Sequence, residues 1–182
     1  MLISRYAPDN WSIRLMRLSG FIFLLLSVPV GLFMIVSSML PISIVMFDSS
    51  LERLLFGLFG VAFMIQAARG GAGLLVTSSD ISLEPSSSLT VHYSLFLRKT
   101  LPIELIATAR RTPASVPRYH LRPLAALNRN VTAFEIRGLP FIHCLAGLYY
   151  RAGFKPILVI TELHENAEQL IGELSQLAEL AD

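Results

Sequence analysis

The chain reads as an α+β membrane protein: an N-terminal two-helix transmembrane hairpin, then a small domain of antiparallel strands ending in one amphipathic helix. Three observations predict this. No charged side chain occurs from Ser19 to Phe47, and after Asp48, Glu52 and Arg53 a second uncharged run extends from Leu54 to Ala68. An unbroken apolar run of ~18 residues or more is the length needed to cross ~30 Å of hydrocarbon. Beyond Gly73 the apolar blocks give way to short alternating runs separated by Ser- and Pro-containing turns, the pattern of half-buried strands. From Ala167 the apolar residues recur at i, i+3 and i+4, one stripe of a helix. Composition agrees. The 182 residues are 53% apolar and 15% charged, whereas ordinary soluble domains carry ~25% charged residues.

Residues 1–18 hold Arg5, Arg14 and Arg17 against Asp9 and are expected to lie in the cytoplasm or along the headgroup layer. Trp11 suits that depth, because its ring is apolar and its N–H is not. A cleaved signal peptide is the competing reading. Its apolar core is usually only ~7–15 residues and ends at a small-residue site, and neither feature is present. The first span is expected at about 19–40. Pro41 disfavours helix at Leu40, and Pro29 falls mid-span, where it removes one backbone hydrogen bond. The second span is expected at about 51–68. It is short, so it either crosses fully with Arg53 snorkelling or forms a re-entrant helix. Gly57, Gly60 and Ala62 either admit the first helix closely or merely face lipid. The arginines before the first span and Arg69 after the second place the N-terminus and the C-terminal domain in the cytoplasm by the positive-inside rule. The localisation expected is the bacterial inner membrane.

Residues 70–73 then read as a Gly-rich, flexible linker, and 74–182 as the cytoplasmic domain, one domain's worth of chain. Leu74-Leu75-Val76-Thr77 reads as a strand, Ser78-Ser79-Asp80 as a turn, and Ile81-Ser82-Leu83 as the next strand. Leu89 to Phe96 alternates, Pro102 to Ala109 continues extended, Val131 to Arg137 alternates again, and Pro156 to Thr161 reads as a buried strand. Arg110 to Arg129, with Pro113, Pro117 and Pro123, is the longest irregular stretch. In the final helix Ala167, Leu170, Ile171, Leu174, Leu177, Ala178 and Ala181 form the stripe, and Thr161, His164 or Asn166 is placed to cap its start.

At this point a resemblance appears. A membrane hairpin followed by a sheet and one closing helix resembles the bacterial pleckstrin-homology-like (PH-like) domain membrane proteins. Leu75-Val76-Thr77 to Leu83 is similar to the family's opening strand pair. The run Leu95-Phe96-Leu97-Arg98-Lys99-Thr100-Leu101-Pro102-Ile103-Glu104-Leu105-Ile106 is similar to its apolar strand, basic turn and apolar-Pro-acidic-Ile signature. Ile157 to Leu174 resembles its last strand running into the helix. Ser94 stands where a glycine is usual, and the Arg/Pro-rich stretch is long. The resemblance covers about residues 74–182. It implies a PH-like antiparallel β-sheet or barrel closed by the C-terminal amphipathic helix, and a binding or scaffolding module rather than an enzyme.

The search for chemistry agrees with a non-enzymatic reading. His92, His120, His143 and His164 show no i, i+4 spacing, and Cys144 is the only cysteine, so no metal-ligand pattern is present. A single cysteine also excludes an internal disulfide, as suits a reducing compartment. No nucleophile elbow, Walker loop or dinucleotide fingerprint occurs, and no cofactor is expected. Charge is unevenly placed. Between Arg98 and Arg137 eight basic residues face two acidic ones, whereas six acidic residues and no basic one follow from Glu162 onward; the two sets belong on different faces. Lys99, Arg110, Arg111, Arg118, Arg122 and Arg129 are the candidate phosphate or partner contacts, since guanidinium forks bind phosphate with paired hydrogen bonds. The competing reading is a solvated loop that obeys the positive-inside rule. Nucleic acid is not expected, because no aromatic platform accompanies the charges. The function expected is therefore a membrane-anchored scaffold or assembly protein. Its partners are the lipid bilayer and either another membrane protein or a second copy, with anionic headgroup binding through 98–129 as the alternative.

Overall fold

The computed structural model describes residues 2–4, 11–40, 47, 49–84, 88–94, 97–115, 131–161 and 164–179. Two long helices lead: α1 (Trp11–Met39, 29 residues) and α2 (Ser50–Thr77, 28 residues). At ~1.5 Å per residue each runs about 42–44 Å, longer than the ~30 Å hydrocarbon core of a bilayer. Both are long and apolar enough to cross a membrane, and only 17% and 11% of their most apolar windows are buried. Leu25 is 75% exposed and Phe59 61%, which is not the surface of a core helix in a soluble protein. α1 continues through Pro29 and ends one residue short of Leu40, the residue that Pro41 restricts. α2 begins on a capping arrangement: the Glu52 N–H donates to Ser49 Oγ at 3.2 Å, and Glu52 itself sits at the positive end of the dipole.

The helices pack antiparallel through small residues. A Cβ on Gly20 would stand 2.9 Å from the Gly71 carbonyl oxygen, and one on Gly31 3.1 Å from the Gly60 carbonyl oxygen. Gly57 faces Ser38, while Ala62 is exposed. Of the small residues expected to matter, Gly57 and Gly60 lie in the helix contact and Ala62 does not.

The β-structure forms two sheets. One is an antiparallel meander of β2 (Asp80–Glu84), β3 (Ser88–His92) and β4 (Arg98–Pro102), with β1 (Leu2–Ser4) added at the β2 edge. The other is β5 (Arg110–Thr112), β6 (Val131–Glu135) and β7 (Ile157–Thr161). A one-turn helix, α3 (Ile103–Ile106), links β4 towards β5; α4 (Phe141–Tyr149) lies between β6 and β7; and α5 (Ala167–Glu179) follows β7. Register explains the core. Ile81 faces Val91 across the strands, and Leu83 and Leu101 flank Leu89; all five are buried with Phe134, Leu158 and Ile160 of the second sheet and Leu170 and Leu174 of α5. Each such side chain contributes ~1.5–3 kcal/mol relative to exposure. The alternate residues of β7, Ile157 and Val159, turn the other way, into a second cluster with Ala133, Ala146, Tyr150 and Val76. A strand buried on both faces needs an unbroken apolar run, which Ile157-Leu158-Val159-Ile160 supplies.

Several expectations are corrected. The described residues make two separate antiparallel sheets and no closed barrel. Residues 70–73 are not a linker and 74–77 not a strand: both belong to α2, which stays helical to Thr77. Within the segment 1–18, expected as a cytoplasmic or interfacial stretch, Leu2–Ser4 is a strand of the first sheet and α1 begins at Trp11. Part of 102–109 is helical rather than extended.

The physical reason for the longer α2 is its surroundings. Residues 71–79 are all buried. The Arg69 guanidinium donates to the Leu148 carbonyl at 2.9 Å, and the Tyr149 ring lies flat on Gly73, where no side chain fits. Thr77 Oγ1 donates to the Gly73 carbonyl at 2.7 Å and accepts from the buried Tyr150 hydroxyl. From α1, Arg17 donates to the Ser78 carbonyl and pairs with Asp80 at 3.2 Å. Beyond the cap, His164 accepts from the Thr161 N–H at 3.1 Å through Nδ1 and donates from Nε2 to the Ser79 carbonyl at 3.2 Å. This histidine ties the end of β7 to the end of α2 instead of capping α5.

Candidate anion-binding cleft

The row Arg110–Glu135–Ile157 closes one end of the second sheet. Because the strands are antiparallel, three chain segments run out beyond that same end: 107–109 before β5, 136–137 after β6, and 155–156 before β7. The Ile136 N–H still bonds the Pro156 carbonyl at 3.0 Å. Between these extensions lies an open cleft of about 490 Å³, lined by residues 107–113 with Glu135, Arg137 and Lys155. Gly138 follows with φ +85°, and a Cβ there would meet Leu105 Cδ1 at 2.8 Å. The positive φ favours glycine, while the Leu105 methyl could swing aside, and the turn leaves Arg137 at the cleft.

Four cations, Arg110, Arg111, Arg137 and Lys155, and one carboxylate line the cleft; by register Arg110 and Glu135 share one face of the sheet and Arg111 stands on the other. That carboxylate, Glu135, is taken by Lys155 at 2.9 Å. Exposed pairs of this kind contribute ~0–1 kcal/mol, so its importance is in charge accounting. Arg110, Arg111 and Arg137 are left without an ion pair or hydrogen bond among the described residues, and all three are exposed.

Of the candidate residues, Arg110 and Arg111 are brought together here. Lys99 is not: it sits exposed on β4, opposite Val91 in the other sheet. Arg118, Arg122 and Arg129 lie outside the described residues. Arg137 and Lys155 were missed as site residues. Neither neighbours Arg110 in sequence, and only the pairing of β5 and β7 with β6 brings them to one place.

No family model, no curated protein and no solved structure matches this chain. The site must therefore be read from its own chemistry. His143 is fully buried. It donates from Nδ1 to the Ile157 carbonyl and accepts from the Tyr93 hydroxyl at Nε2, both at 2.6 Å. Burial pushes its pKa down to about 4 and that of Tyr93 up, so the pair stays neutral and out of reach of substrate. Burial also raises the Cys144 thiol, the opposite of what an activated nucleophile needs. No group of three or more metal-ligating side chains is gathered among the described residues. What the cleft arrangement offers is anion recognition by guanidinium groups.

Proposed function

We infer that this chain is a non-enzymatic, membrane-anchored scaffold or assembly protein. Its apolar hairpin spans the bacterial inner membrane, and its PH-like domain docks another membrane protein, or a second copy, on the cytoplasmic side. The observation that carries this reading is the continuity of α2 from an exposed apolar surface into the buried core of the sheet domain. A flexible tether would present the domain at every angle. A helix gripped by Arg69–Leu148, Gly73–Tyr149 and Thr77–Tyr150 presents it at one height and in one orientation, as docking within a membrane assembly requires. Arg14 and Arg17 near the start of α1 and Arg69 on α2 fall at the domain end of the hairpin, which supports a cytoplasmic domain. Two antiparallel sheets sharing a core with a C-terminal helix support the PH-like reading.

The test is extraction of native membranes in mild detergent with cross-linking before gel analysis. The expected result is a discrete species larger than the 20.1 kDa chain, whose composition distinguishes a partner from a second copy. Recovery of the monomer alone after efficient cross-linking would overturn the docking reading.

A further inference from the structure

We propose that the cleft at the end of the second sheet is a phosphate-binding site, formed by Arg110, Arg137 and Lys155. Its ligand chemistry is a phosphate dianion, from a membrane lipid headgroup or a free phosphate compound.

Three observations converge on it. Arg110 and Arg137 line the cleft with no carboxylate left to pair with them, because Lys155 holds Glu135. Like charges gathered from separate strands repel one another, and a bound dianion relieves that repulsion while accepting paired guanidinium hydrogen bonds. The backbone that gathers them is fixed: the Arg110–Glu135–Ile157 register and the Ile136–Pro156 hydrogen bond hold the three extensions, and Gly138 turns the chain directly after Arg137. Finally, Phe154 adjoins Lys155 and packs edge-on against Phe141 with ring centroids 5.7 Å apart. The rings are 58% and 65% exposed, and among the described residues outside the hairpin only Leu97 joins them as an exposed large apolar side chain. Exposed aromatic rings beside cations suit the headgroup level of a bilayer, which favours the lipid over the free phosphate.

The site does not depend on any docking partner, so it is tested on the purified full chain in neutral detergent, where the scaffold reading is not at issue. Three probes are titrated: dioctanoyl phosphatidic acid, dioctanoyl phosphatidylcholine and inorganic pyrophosphate. Saturable binding of phosphatidic acid is expected, with phosphatidylcholine much weaker. The double variant Arg110→Gln/Arg137→Gln is expected to weaken binding at least about tenfold, the scale of losing charge-assisted hydrogen bonds. The control Arg98→Gln/Lys99→Gln, on exposed cations of β4, is expected to change nothing. Pyrophosphate binding as tightly as phosphatidic acid, and lost in the same double variant, supports the site and assigns its ligand to the soluble phase. Equal binding of the two lipids, or equal weakening by the control pair, overturns the proposal. If the double variant does not fold, a photoreactive phosphatidic acid on the unaltered chain decides. Adducts within 107–113, 135–137 or 153–155 support the site, and adducts confined elsewhere overturn it.

Discussion

Leu25 on α1 is 75% exposed, and Leu75 on α2 is 3% exposed. The side chains are the same and both stand on the same hairpin; what differs is the partner. Along 20–40 and 50–68 the helices touch mainly each other, and their outer faces are left apolar and open. Along 71–77 α2 is wrapped by α4, β7 and the first sheet, and Ile13 and Met16 near the start of α1 are buried as well. One end of the hairpin leaves an open apolar surface long enough to span hydrocarbon, and the other is covered by the domain. Glycine brings helix against helix in both halves, at Gly31 and Gly60 and at Gly20 and Gly71; only at the inner end does one, Gly73, also bring an aromatic ring from another part of the fold onto the backbone.

The sharpest way to break this comparison is Gly73→Val. A Cβ at this position would lie inside the Tyr149 ring, against ring atoms that have no free end to swing aside. Overpacking of a well-filled site costs typically ~1–3 kcal/mol and sometimes more, and β-branching adds a helix penalty. The domain should lose its mount. Proteolysis in mild detergent should then cleave between Arg69 and Ser79, a stretch buried in the native chain. Protection equal to the unaltered protein would mean that the ring is not what holds α2. Gly31→Val, where the Cβ would stand 2.7 Å from Met64 Cβ, should loosen the helix pair by a comparable amount while leaving 69–79 protected.

Next in size is a pH effect confined to the domain. His143 carries a folded pKa of about 4 against an ordinary 6.5. Between those values the unfolded chain binds more protons than the folded one, so stability falls as pH falls through that window and levels off below it. The slope from this residue is at most ~1.4 kcal/mol per pH unit. Thermal midpoints of the full chain in detergent between pH 7.5 and 4.5 should show the decline, and His143→Gln should flatten it relative to the parent. Identical slopes would place the titrating group elsewhere. His164, also held neutral by burial, contributes in the same direction.

A smaller effect is expected at Thr77→Val. It removes the hydroxyl that accepts from Tyr150 and donates to Gly73. A buried Tyr150 hydroxyl left without its acceptor costs ~1–3 kcal/mol. The companion Thr77→Val/Tyr150→Phe removes both ends of the bond, so it should recover part of the loss in the same melting measurement.

The hairpin's outer half was legible in the sequence because long uncharged apolar runs announce themselves by length alone. Its inner end was not legible. Gly70, Gly71 and Gly73 are each ~1 kcal/mol poorer than alanine in a helix, and Val76 and Thr77 lean towards strand, so local preference pointed to linker and strand. Tertiary contacts from Leu148, Tyr149 and Tyr150 outweighed it, and those residues form the end and C-cap of α4, which no alternation or cap had marked. The two-sided burial of β7 was readable from its unbroken apolar run. The cleft was half readable: Arg110 and Arg111 stand out in a basic stretch, but Arg137 and Lys155 reach them only through strand register. Lys99 looked equivalent in sequence and lies on the other sheet.

The smallest predicted effect separates propensity from packing on a single turn. Gly70 and Gly73 are both helical and three residues apart, yet a Cβ on Gly70 meets nothing within 4 Å. Gly70→Ala should therefore gain most of the ~0.8–1.0 kcal/mol that separates the two residues in a helix and raise the thermal midpoint. Gly73→Ala draws the same propensity gain but must push the Tyr149 ring off the helix, so its midpoint should fall. If both substitutions stabilise, the Tyr149 contact is loose and the inner end of α2 is an ordinary helix end. If both destabilise, residues 70–73 need glycine for its backbone freedom, and the segment bends in a way that a rigid mount forbids. Only opposite signs fit a helix held in place by what packs against it.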